Sequence, residues 1–86
     1  MADADLTRTG LARAVARFPD ASATLQKLAR TDPAFGEICE EYALAERSLA
    51  GFEARVDAAE RPEVAEYRRV IAELEIEMEQ ILKDAR

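Results

Sequence analysis

The sequence predicts an all-α protein whose core is an antiparallel helical hairpin, coiled-coil-like, preceded by one or two short N-terminal helices. Three observations predict it. Two apolar seams step 3, 4, 3, 4 without a miss: Phe35, Ile38, Tyr42, Ala45, Leu49, Phe52, Val56, Ala59, and then Val64, Tyr67, Ile71, Leu74, Met78, Ile81, Ala85. That spacing keeps one stripe facing a partner helix. Pro62 separates the seams, and Thr31-Asp32-Pro33 marks a stop and a restart before the first of them.

Each element follows from local chemistry. Residues 1–9 are small and polar and are expected to fray. Leu11, Val15 and Phe18 then recur at helical spacing with Arg13 and Arg17 on another face, which predicts a short amphipathic helix over about 6–17. Pro19 disfavours the helical conformation at Phe18 and ends it. Asp20 is positioned to cap a second short helix, whose apolar face is Leu25 and Leu28. Asp32 is a good N-cap and Pro33 suits the first helical position of a long helix, expected over 33–59. Glu37 sits in its early turns, where the helix dipole favours negative charge. Glu60-Arg61-Pro62 forms a short connector with a poor cap at Arg61, and the last helix is expected over 63–83.

Two rival geometries fare worse. One kinked helix in a parallel coil would have to absorb a slip in heptad phase, since the seam resumes at Val64 instead of Glu63. The alternation of Glu73, Glu75, Glu77 and Glu79 with Leu74, Ile76 and Met78 imitates a strand, but no second strand exists to pair with it.

Composition narrows the function. At 86 residues the chain is one helical domain, with 1–31, 33–59 and 63–83 as its parts. No run reaches the ~18 apolar residues of a membrane span. The first 20 residues carry Asp3, Asp5, Arg8, Arg13 and Arg17, so they lack a signal peptide's apolar core, and a cytoplasmic protein is expected. The net charge of −6 disfavours nucleic acid and anionic membrane as partners. Charge is also unevenly placed: five bases against three acids over 1–31 (+2), and seven bases against fifteen acids over 32–86 (−8). The absence of His removes imidazole acid–base chemistry and imidazole zinc sites, and leaves Cys39 with no base to activate it. The glycines Gly10, Gly36 and Gly51 make no phosphate loop. A non-enzymatic protein with no catalytic residue, cofactor or metal site is expected.

The remaining clusters read mainly as packing or solvated surface. Phe35, Tyr42, Phe52 and Tyr67 fall at core positions, where buried hydroxyls need partners. Glu73, Glu75, Glu77 and Glu79 spread around a helix instead of converging on a metal. Glu37/Glu41, Glu53/Asp57, Glu73/Glu77 and Glu75/Glu79 are repulsive at i, i+4, which calls for a cationic neighbour; the basic first third of the chain, in cis or from a second protomer, is the candidate. Leu11, Arg13, Val15, Arg17 and Phe18 form the candidate docking segment. Ala43, Ala50, Gly51, Ala54 and Ala58 make a stripe of small residues beside the seam, a second packing face for the N-terminal helices or a partner. Cys39 lies next to the seam as an inert thiol.

Phe18-Pro19-Asp20, then Leu25 and Leu28, then Asp32-Pro33-x-Phe35, then Glu41-Tyr42 resemble the start of the YdcH family. That family shows a Phe-Pro segment, a short helix, an Asp/His-Pro-x-Phe turn and a long helix with a Glu-Tyr or similar pair. Arg68, Arg69, Leu74, Glu77, Met78, Ile81 and Leu82 fall in matching places on the last helix, so the resemblance spans 17–83. Glu75 and Ile76 stand where the family usually has Lys and Asp, and the basic character of its last helix is lost here. The resemblance implies a small bacterial helical, coiled-coil protein and implies no activity.

A seam of one stripe per helix makes a marginal core for so short a chain, with no disulfide to staple it. A homodimer or higher homo-oligomer is therefore expected, together with a protein partner bound through helical faces. The alternative is an acidic regulatory binder of a cationic protein or segment, distinguished by a steep salt dependence.

Overall fold

The computed structural model describes residues 2–85, and side chains from Asp5 to Ala85. It is all-helical, with no strand among the described residues: α1 (Ala2–Arg17), α2 (Ser22–Thr31), α3 (Pro33–Glu53) and α4 (Pro62–Asp84). One-turn 3₁₀ helices at Pro19–Ala21 and Ala58–Glu60 join α1 to α2 and α3 to α4.

The first helix is longer than its apolar pattern predicts. It begins at Ala2, so 2–9 are helical instead of frayed, while Met1 lies outside the described residues. Ala-rich sequence favours the helix, and Pro19 ends it, with the Phe18 N–H donating to the Ala14 carbonyl at 2.8 Å. Asp20 does not cap α2: the 3₁₀ turn displaces the start, and the cap position falls to Ala21 with no side-chain hydrogen bond.

The start of α3 follows from its sequence. Asp32 is extended, at φ −126° and ψ 101°, and its carboxylate accepts from the N–H groups of Ala34 (3.0 Å) and Phe35 (3.4 Å). Two otherwise unmet donors are thereby satisfied, with Pro33 at the first helical position.

The end of α3 corrects the expected boundary at Ala59. The helix stops at Glu53, and 54–61 form the connector. Tyr67 must reach Phe52, whose ring it stacks at 5.8 Å between centroids. Asp57 favours the turn, because its carboxylate takes the Arg55 Nε at 2.9 Å. Val56, assigned to the seam, consequently stands in the connector at 110% exposure, and Ala59 is exposed.

The core draws on all four helices: Ala14 from α1, Leu25 from α2, Phe35, Cys39, Tyr42 and Ala45 from α3, and Leu74, Met78 and Leu82 from α4. The premise of a core with one stripe per helix is corrected by this. Cys39 and Ala43 bury a second side of α3 under α1, and Leu82 is buried although the heptad reading places it off the seam. Leu74, Met78 and Leu82 step by four, the drift of a straight 3.6-residue helix away from a strict heptad.

Candidate interaction surfaces

The contact between α1 and α3 is built from small residues. Gly10 and Ala14 are buried one turn apart on α1. A Cβ placed on Gly10 would land on the Cys39 carbonyl and 2.9 Å from the Cys39 Cα. Glycine is the one residue that admits this approach. Gly36 continues the contact, where a Cβ would come 3.9 Å from the Thr7 methyl, and the buried Ala43 lines one groove with Thr9 and Arg13 of α1. The predicted stripe of small residues is thus used at Ala43, whereas Ala50, Gly51 and Ala54 are exposed and Ala58 half-buried.

Burial fixes the chemistry of Cys39. With no exposed surface, its thiol is pushed up to about 11, because the thiolate cannot be solvated there.

Three helices meet at a polar node. The Tyr42 hydroxyl donates to Glu75 Oε2 at 2.7 Å, and Arg17 Nε lies 3.4 Å from Glu75 Oε1. Arg13 Nε stands 3.6 Å from Glu46 Oε1. Burial first, then the hydrogen bond to Glu75 and the charges of Glu75 and Glu46, hold the Tyr42 phenol well above its ordinary range. The expectation that the four α4 glutamates are all solvated is corrected at Glu75, which turns inward to Tyr42; Glu73, Glu77 and Glu79 are exposed. Polar groups do converge on a seam aromatic, and no spacing rule in the sequence points to it, because the pairing joins residues 33 positions apart.

Leu11, Val15 and Phe18 of the candidate docking segment are half-buried and pack against the core. Arg17 also lies over the Phe18 ring at 4.9 Å. The most deeply buried described positions of α1 are Gly10 and Ala14, which apolar periodicity passes over because neither side chain is large.

Charges crowd the connector. Arg68 bonds Glu53 at 2.7 Å, Arg61 approaches Asp57 and Glu63 at 3.9 and 3.4 Å, and the Arg61 guanidinium lies 5.6 Å from the Phe52 centroid. The hydrogen bond between Arg55 and Asp57 lowers the Asp57 carboxyl and raises the Arg55 guanidinium from their ordinary values. An open groove of about 480 Å³ beside them is lined by Glu53, Ala58, Ala59, Arg61, Val64, Ala65 and Arg68. Among the described residues, no group of His, Cys, Asp or Glu is placed to hold a metal ion and no helix is long and apolar enough to cross a membrane.

The seam residues divide by burial. Phe35, Tyr42, Leu74 and Met78 are buried; Ile38, Leu49, Phe52, Val64, Tyr67, Ile71 and Ile81 are half-buried. Leu44, Val70 and Ile76 are the other large apolar side chains left exposed, at 42, 39 and 65%. Glu37, Glu41, Glu66, Glu73 and Glu77 are exposed, and none forms an ion pair among the described residues. Compared with known proteins, the chain matches no protein-family model, no curated protein and no solved structure.

Proposed function

We propose that this chain is a non-enzymatic helical interaction module that binds a protein partner through its helical faces. The observation that carries the reading is the incompletely covered apolar surface: seven seam residues of α3 and α4, and the exposed Val70 beside Ile71, keep accessible apolar surface after all four helices have packed. A partner helix gains by covering such surface, at roughly 25 cal/mol per Å².

The reading includes an antiparallel hairpin of α3 and α4. It is supported by the stack of Phe52 on Tyr67 and the pair Glu53–Arg68, which join the end of α3 to the first turns of α4, and by the bond Tyr42–Glu75, which joins the middle of α3 to the middle of α4. Membership of the YdcH family belongs to the same proposal and rests on the Phe18-Pro19 and Asp32-Pro33-x-Phe35 resemblance. Self-association was expected on the premise of a two-helix core. With that premise replaced by a core drawn from all four helices, the proposal favours a different protein as partner.

The test is retention of a cellular protein by the immobilised full chain, compared with a Val70→Asp chain shown by circular dichroism to be folded. Retention by the native chain that is lost in the variant supports the reading. No retention, or retention indifferent to Val70, overturns it.

A further inference from the structure

Resting on that reading, we propose that the side of the α3/α4 pair turned away from α1 binds a basic amphipathic helix of another protein. Two contacts fix which side this is. On α4, Glu75 faces α1, since it pairs with Arg17. On α3, the Cys39 backbone lies against Gly10 of α1, and Ala43 lines one groove with Thr9 and Arg13 of α1. At about 100° per residue, Val70, Glu73 and Glu77 lie roughly 140–160° around α4 from Glu75, and Glu41 lies roughly 160° around α3 from Cys39. Their exposure agrees: Val70 is 39% exposed and the three glutamates are exposed.

This side has an apolar floor and an acidic rim. Val70 and Ile81 bracket Glu73 and Glu77 along one line of α4, and Ile38 and Glu41 stand on α3. Ile38 and Ile81 both pack on the core yet remain half-buried. From Val70 to Ile81 the line runs about 16 Å, three turns of a docked helix.

Charge decides the occupant. Two of the α1 arginines are already committed within the chain, Arg13 to Glu46 and Arg17 to Glu75, and the third, Arg8, forms no ion pair among the described residues. These pairings leave Glu41, Glu73 and Glu77 without ion pairs among the described residues. A second copy would set the same carboxylates against each other, in a chain whose net charge is already −6. A helix with Lys or Arg flanking an apolar stripe satisfies both rim and floor.

The probe is a synthetic amphipathic peptide of about 18 residues, five turns, with Leu at heptad a and d positions and Lys elsewhere. Its binding to the full chain is followed by fluorescence anisotropy. The expected result is saturable binding that weakens at least tenfold when salt rises from about 0.05 M to about 0.5 M. Binding should also weaken at least tenfold in the double variant Glu73→Lys/Glu77→Lys and several-fold in Val70→Gln. Glu79→Lys, on the flank of α4 nearer Glu75, should bind as the native chain does. All four substituted positions are exposed, and circular dichroism reports that the variants fold.

Equal loss from Glu79→Lys, or equal binding of unstructured polylysine, would reduce the effect to bulk charge and overturn the proposal. Failure of the Lys/Leu peptide to bind also overturns it. The wider interaction reading falls separately, and only if cellular retention proves absent or indifferent to Val70.

Discussion

Gly10 is the residue on which the α1–α3 contact turns. Overpacking typically costs ~1–3 kcal/mol, and more where backbone is struck, against the ~1 kcal/mol that Ala gains over Gly inside a helix. Gly10→Ala is therefore expected to lower the urea midpoint, although helix propensity alone argues for a gain. Gly51, with nothing near its ideal Cβ, supplies the control: Gly51→Ala is expected to be neutral or stabilising by up to ~1 kcal/mol. At Cys39 the folded thiol titrates near 11, above its unfolded value of 9.0. A raised folded value means that the unfolded chain loses its proton first. The stabilisation is complete below about pH 9 and declines as the pH climbs towards 11. Tyr42, also raised, extends the decline upward. Urea melts at pH 8 and 10.5 should show the loss, and Cys39→Ala should make it shallower. A melt independent of pH over this window would contradict the burial of both groups.

At the scale of elements, the two sides of α4 should respond differently. Leu74 is buried and Ile76 is 65% exposed. Leu74→Ala is expected to cost about 2–5 kcal/mol, and Ile76→Ala less than about 0.5 kcal/mol. Equal costs would show that the outer side of α4 is covered. Asp32→Ala at the start of α3 should cost about 1 kcal/mol, since it releases the Ala34 and Phe35 N–H groups at once. Asp20→Ala, at a position that caps nothing, should cost a few tenths at most. Urea denaturation of the four variants reads all of these.

The whole molecule measures 43 × 29 × 19 Å and exposes 5825 Å². A typical monomer of 9.5 kDa exposes roughly 5,000 Å². The excess belongs to an elongated helical shape with half-covered faces. Because the core draws on all four helices, a single species near 9.5 kDa is expected at micromolar concentration, with a melting temperature independent of concentration. A melting temperature that climbs with concentration would instead show stabilisation by self-association. Removing 1–18 should then expose Leu25, Cys39 and Ala43 and increase binding of an apolar dye. A truncated chain as stable as the intact one would mean that α1 contributes nothing to the fold.

The helical class, the stop at Pro19, the cap at Asp32 and, within one residue, the start of the last helix were legible in the sequence, which placed Pro62 in the connector where the structure makes it the first residue of α4. Each depends on groups within a few residues: a proline ring, a carboxylate beside two N–H donors, an apolar repeat. The sequence also marked the acids of the later helices as wanting a cationic neighbour and pointed to the basic first third of the chain, without saying which pairs form. Tertiary structure alone decided that Arg17 and Tyr42 share Glu75, that Gly10 lies against the Cys39 backbone, and that α3 ends at Glu53. Periodicity registers large apolar side chains and is blind to a glycine or alanine whose value lies in its smallness. It also cannot see where a connector begins, because that depends on contacts between distant residues such as the stack of Phe52 on Tyr67. The open side of α3 and α4 follows from the same limit. A heptad names the stripe that faces a neighbour, and only packing shows which of its edges is left uncovered.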